Sequence, residues 1–236
     1  MASPFWMVVL ALGAAYLLGS IPTGLVLVRL STGKDLRQEH SGRTGGTNAA
    51  RAAGAWAGLG TMIGDGLKAA AAVWLAHALT AGQPLVEALA GIMAVLGHNY
   101  SLFMIERREG KLHFRGGAGG APTVGAAIGL WGPSALFMIP TGIGVLLVIG
   151  YASVATISVG VAATVVFLVR AVLGIGPWGY VAFGPVVVVL LLLALRPNLV
   201  RLRQGTERVV GLRAWWRKRA LSSPEAPGEG PQPPSA

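Results

Sequence analysis

Between two long apolar runs, Phe5–Val28 and Ala55–Leu79, lies the polar stretch Ser41-Gly42-Arg43-Thr44-Gly45-Gly46-Thr47-Asn48-Ala49-Ala50-Arg51. Its residue types suit an anion, which needs several N–H and O–H donors and positive charge at close range. Ser41, Thr44, Thr47 and Asn48 supply hydroxyls and an amide, and Arg43 and Arg51 supply guanidinium forks. The glycines let the backbone come close to a ligand. A helix entered at about Thr47-Asn48 turns its free N–H groups and positive dipole end toward such a ligand. The same residues also make an ordinary glycine-rich connector with a helix cap, and both readings stand at this point.

A second glycine-rich helix entrance, Phe114-Arg115-Gly116-Gly117-Ala118-Gly119-Gly120-Ala121-Pro122-Thr123, repeats the pattern. Its exposed N–H groups suit an anion; small residues there also suit close helix packing in a membrane. Ser153, in Tyr151-Ala152-Ser153-Val154-Ala155-Thr156, is a ligand or a helix cap. Asp65 and Lys68 stand three apart, on one face of a helix, where they can pair. Ionisable residues inside an apolar run mark a functional site or a structural ion pair. His98 closes another apolar run at Gly97-His98-Asn99, as a packing residue or as part of a site. Asn198 falls in a polar, basic segment, Arg196 to Glu207, which reads as an amphipathic interfacial stretch.

The elements that carry these groups are membrane helices. Of 236 residues 53% are hydrophobic and 12% charged, and mean hydropathy is +0.63, a balance that excludes an ordinary soluble domain. The absence of cysteine rules out disulfides and thiolate chemistry, and the four histidines lack metal-ligand spacing. The net charge of +10 does not point to nucleic acid, because 17 of the 19 Lys and Arg residues cluster in 29–51, 106–117 and the tail from Arg196. These flank apolar runs, as cytoplasmic topology signals do. Seven segments are expected: Phe5–Val28, interrupted at Gly19-Ser20-Ile21-Pro22, then Ala55–Leu79, Leu85–Phe103, Gly119–Leu130, Ser134–Ile149, Ala152–Val172 and about Trp178–Leu195. The twelve residues of Gly119–Leu130 reach only ~18 Å. Counting them as a crossing keeps all three basic regions on one side, with the N-terminus out, the C-terminus in, and Arg170 as the misfit. The expectation is an all-α polytopic fold over residues 1–207, a basic aromatic interfacial segment at 208–221 and a disordered tail at 222–236.

The blocks, in order, resemble the bacterial integral-membrane acyl-phosphate:glycerol-3-phosphate acyltransferases. The resemblance runs through Gly19-Ser20-Ile21-Pro22, Ser41-Gly42, Gly45, Thr47-Asn48, Arg51, Asp65, Lys68 and Gly97-His98-Asn99. It continues through Phe114, Gly116-Gly117, Gly119, Tyr151, Ser153, Asn198, Arg201-Leu202 and Gly205-Thr206-Glu207. It implies acyl transfer from acyl phosphate to glycerol 3-phosphate, giving lysophosphatidate for phospholipid synthesis at the cytoplasmic face of the inner membrane. No metal or organic cofactor is implied. Ser41, Ser153 and Asn198 would be catalytic, and Thr47, Asn48, Arg51, Arg43, Gly116, Gly117 and Gly119 would hold substrate phosphate. Asp65, Lys68 and His98 would give structural or electrostatic support. Three positions depart from the family pattern: Ala118 stands for a lysine, Leu195 for a histidine and Arg43 for an asparagine, with Arg43, Arg115 or Lys111 as candidate replacements for the lost charge. A paralogue acting on another phosphorylated acceptor, or a non-catalytic lipid-binding or transport protein, are the other readings.

Overall fold

A computed structural model describes residues 3–108, 110–214 and 219. The first apolar run forms α1 (Phe5–Ser20) and α2 (Thr23–Thr32), broken at Ile21-Pro22, because proline has no N–H to continue the ladder. The freed carbonyls find new donors: Ser101 Oγ donates to Ser20 O at 2.6 Å, and Lys68 Nζ to Ile21 O at 2.6 Å. After Gly33, whose φ of 72° ends α2, a polar loop leads to α3 (Gly46–Ala53), then α4 (Ala55–Leu79) and α5 (Pro84–Asn99). Further on lie α6 (Gly120–Leu130), α7 (Ala135–Val148), α8 (Ala152–Val172) and α9 (Phe183–Arg203).

Among the described residues, four helical stretches are long and apolar enough to cross a bilayer: Phe5–Thr32, Pro84–Met104, Ala152–Val172 and Trp178–Arg203. Packing is inside-out relative to a soluble protein. Small residues such as Ala11, Ala15, Ala72, Ala90 and Ala126 are buried, whereas Trp56, Leu136 and many other large apolar side chains face outward. Short α6 is sheltered rather than extended. It packs on α4 so closely that a Cβ at Gly125 would collide with the Gly66 carbonyl. Phe167 meets Tyr180 and Phe183 edge-on, with centroids 5.8 and 6.0 Å apart, tying α8 to α9.

Two expectations need correction. The fold is mostly helical but not all-α: Ile105–Arg108 (β1) and Lys111–Phe114 (β2) form an antiparallel hairpin. The last helix does not stop near Leu195 but runs through Pro197 to Arg203, so Arg196 to Arg203 is helix, not a separate interfacial segment. The out-of-place Arg170 is accommodated locally, stacked 3.7 Å over Trp131 and donating to Ile175 O at 2.7 Å. Of the basic segment at 208–221, residues through Arg213 fold back on the α7–α8 connection, with Val210 N donating to Gly150 O at 2.7 Å. Trp215, Trp216 and the tail at 222–236 lie outside the described residues.

Candidate active site

The loop before α3, the glycine loop before α6 and the interrupted turn of α9 enclose a cavity of about 300 Å³. Ser41, Arg43, Asn99, Arg115, Gly116 and Gly117 line it, with Leu193, Ala194 and Pro197 opposite. Arg43 crosses from its loop to α9, one guanidinium nitrogen donating to Ala194 O at 2.5 Å. Its other terminal nitrogen is buried with no hydrogen-bond partner. Burial, with a smaller contribution from Arg201, pushes this guanidinium below the ordinary arginine range; Tyr100 and Glu207 oppose the shift. A buried cation with a spare donor is poised for an anion. Arg115 also lines the cavity, but Glu106 lies 3.3 Å from its Nε. Lys111 sits exposed on β2.

The α3 loop divides the residues that sequence grouped together. Asn48 is buried, and its amide is consumed within the protein. Nδ2 donates to the carbonyls of Leu36, Glu39 and Arg43 at 3.3, 3.0 and 2.8 Å, while Oδ1 accepts from Ser41 N at 3.4 Å. Asn48 therefore pins the loop that presents Ser41 and Arg43. Thr47 is exposed and Arg51 half-buried, and neither lines the cavity. Burial and then the neighbouring Arg208 push the Arg51 guanidinium below its ordinary range.

The glycine loop is docked by its backbone. Gly117 N donates to His98 O at 2.9 Å, and Thr44 N to Gly116 O at 3.4 Å. A Cβ at Gly117 would strike the His98 ring, and Gly119 takes φ 91° against the Asn99 amide. Behind His98 lies a buried cluster. Lys68 Nζ is 2.8 Å from Asp65 Oδ1 and 3.2 Å from His98 Nδ1, which is 3.4 Å from Asp65 Oδ1. Lys68 Nζ and Asp65 Oδ1 both reach the Nδ1 edge of the His98 ring, and its Nε2 edge faces Gly117. The cluster links α4, α5 and the break after α1 to the floor of the glycine loop.

A third group joins α8 to the end of α9. Ser153 Oγ donates to Glu207 Oε2 at 2.9 Å, and Asn198 Nδ2 to Glu207 Oε1 at 3.1 Å. Glu207 reaches back because Gly205, at φ 68°, turns the chain after α9, and Glu207 N donates to Arg201 O at 3.2 Å. The carboxylate thus orients two neutral donors and lies close enough to Arg43 to offset its charge.

The family model described as glycerol-3-phosphate acyltransferase matches residues 9–205. A relative from Moorella thermoacetica, glycerol-3-phosphate acyltransferase 2, is 40% identical over 87% of this chain and 98% of its own. The Thermus thermophilus glycerol-3-phosphate acyltransferase is 39% identical over 90% of this chain and 98% of its own. This chain belongs to the glycerol-3-phosphate acyltransferase family. Crystal structures of PlsY, an integral membrane glycerol 3-phosphate acyltransferase, align with TM-scores of 0.73 for the glycerol 3-phosphate form and 0.71 for the lysophosphatidic acid form. They are 31% and 30% identical, covering 89% and 87% of this chain and 98% and 96% of theirs.

Within this acyltransferase the three departures acquire places. Arg43 fills the side of the cavity between the glycine loop and α9. Ala118 is half-buried between Gly117 and Gly119, and Leu195 is buried in α9. Sequence reasoning passed over two residues as site members. Glu207 was read only as part of a block, although an acid after a glycine turn is a signal of local folding back. Asn99 lines the cavity, and both atoms of its amide are buried without a partner.

Proposed function

We propose that this membrane enzyme acylates the 1-hydroxyl of glycerol 3-phosphate with acyl phosphate as donor, giving lysophosphatidate and inorganic phosphate. The observation that carries the proposal is the buried Arg43 guanidinium, with one unpartnered nitrogen, in a cavity walled by the glycine loop. Both substrates are anions, and the first task of a site is to let them meet. Arg43, with Arg115 and the backbone of Gly116 and Gly117, neutralises phosphate inside the cavity. Gly119 shapes the entrance to α6, and Arg51 and Thr47 act at its outer side, where Arg51 raises the positive potential. Ser41 stands at the mouth with its hydroxyl available to substrate. Ser153 and Asn198, oriented by Glu207, complete the polar wall, while Asp65, Lys68 and His98 support the loop from beneath.

The acyl carbon of a mixed anhydride is already activated. The glycerol hydroxyl oxygen forms the new ester bond, the carbonyl–phosphate bond breaks, and the hydroxyl proton leaves with the phosphate. Positioning and charge stabilisation supply the rate enhancement, with no covalent enzyme intermediate.

Seven passes across the bacterial inner membrane place this site at the cytoplasmic face. The reading is supported by the 17 clustered cations and by contacts between two of their regions: Arg115 donates to Arg37 O at 3.4 Å, and Thr44 N to Gly116 O at 3.4 Å. A reporter fused after Gly211 should be cytoplasmic and one at the N-terminus external; both on one side would refute the seven-pass reading. Purified protein given acyl phosphate and glycerol 3-phosphate should release lysophosphatidate and phosphate together. Transfer from an acyl thioester but not from acyl phosphate would overturn the donor assignment.

A further inference from the structure

We propose that the β1–β2 hairpin rests one face in the headgroup region of the bilayer, where it anchors the glycine loop over the cavity. The inference needs only a membrane-embedded chain and is independent of the acyl-transfer reading. Pairing places Ile105 opposite Phe114, Glu106 opposite His113 and Arg107 opposite Leu112. Alternation across the pleat then sorts Ile105, Phe114, Arg107 and Leu112 onto one face, and Glu106 and His113 onto the other. The direction of the second face is set by charge: Glu106 lies 3.3 Å from Arg115 and 3.8 Å from Arg37, in the polar loops. The first face therefore looks away from Arg37 and the Arg115 guanidinium, with Phe114 at its edge also reaching the cavity. Its apolar residues are uncovered, with Leu112 62%, Phe114 45% and Ile105 37% exposed.

An isolated two-stranded hairpin is marginal in water and needs one face covered. The bilayer is the occupant the structure favours, for two reasons. First, the patch continues a lipid-facing surface: the apolar stretch Pro84–Met104 ends where β1 begins, and Leu102 and Phe103, the latter 58% exposed, extend the same uncovered surface. A four-residue strand reaches only ~14 Å, so the hairpin stays near the level at which that stretch leaves the hydrocarbon. Second, the charge matches: Arg107 is an exposed cation on the same face as the apolar residues, the pairing that anionic headgroups attract. Because Phe114 also forms part of the cavity wall and leads directly into Arg115 and Gly116, immersion of this face would hold the cavity mouth at headgroup level.

The chain has no cysteine, so a single introduced thiol carries a unique spin label. Leu112→Cys, His113→Cys and, on the same surface, Phe103→Cys are labelled and the protein reconstituted in vesicles of phosphatidylethanolamine and phosphatidylglycerol. Expected is alternation: labels at 112 and 103 collide preferentially with lipid-soluble oxygen, and the label at 113 with a water-soluble nickel complex. A label at 112 as open to nickel as that at 113 would overturn the proposal. So would a label at 112 shielded from both reagents, which would mean that protein covers the face. If Leu112→Cys fails to fold, a label at Arg107→Cys, on the same face of β1, takes its place in the comparison with 113.

Discussion

Replacing Arg43 by alanine tests the centre of the proposed site. The side chain holds Ala194 O at 2.5 Å with one nitrogen and keeps the other buried and unpartnered. A charge-assisted hydrogen bond to phosphate is worth about 1.5–3 kcal/mol, which corresponds to about one to two decades in kcat/KM. The assay is steady-state transfer with each substrate varied in turn, together with the inhibition constant for inorganic phosphate and the thermal midpoint. Arg43→Ala should lower kcat/KM by that amount and weaken phosphate inhibition in parallel. Arg43→Lys should recover only part, since one ammonium lacks the fork that can hold a carbonyl and an anion together. Ala118→Lys in the Arg43→Ala background should restore much of the loss, and the two changes should be strongly non-additive because both cations would serve one phosphate. Unchanged kinetics and phosphate inhibition, with only the thermal midpoint lowered, would show that Arg43 merely ties its loop to α9.

Asn48→Ala removes an amide whose two N–H groups serve backbone carbonyls and whose oxygen accepts from Ser41 N and should destabilise the folded protein by about 2–3 kcal/mol, at about 1 kcal/mol per bond; an unfolding midpoint unmoved in detergent would contradict its role as a pin. Lys68→Met strands Asp65 in a buried site and should cost about 3–5 kcal/mol. Adding Asp65→Leu should recover part of that loss, so a double mutant no more stable than Lys68→Met would refute pairwise compensation. Asp35 is held down at about 2, against an ordinary 3.8, chiefly by its hydrogen bond from Arg37. Its stabilisation of the polar loop is therefore complete above the ordinary value and lost as pH falls from about 3.8 toward 2. Wild type should show a loss of protection from acid protease in the 33–45 loop across that window, and Asp35→Asn should show protection that no longer changes there.

The membrane helices were legible because lipid imposes coarse requirements of length, apolarity and flanking charge. Ala152–Val172 coincides with α8, which is long and apolar enough to cross a bilayer, Ala55–Leu79 coincides with α4 as a helix, and the break at Ile21-Pro22 follows from a missing N–H. Detail set by tertiary contact was not legible. Four-residue strands leave too short a pattern to read, and α9 continues through Pro197 to Arg203, past the expected end near Leu195. The polar loop shows the difference most clearly. Ser41, Arg43, Thr47, Asn48 and Arg51 all suit phosphate by type, yet three loop carbonyls turn Asn48 inward while Ala194 draws Arg43 across to α9. Composition named the chemistry; direction came from partners far away in the chain. Glu207 is the converse case. In sequence it is only part of the block Gly205-Thr206-Glu207, with no partner in view. Its two oxygens nevertheless accept from Ser153 and Asn198, 54 and 9 residues away in sequence. A carboxylate occupied in this way keeps neutral donors aligned and balances a buried arginine when no phosphate is bound, a need that appears only once the cation is seen to be buried.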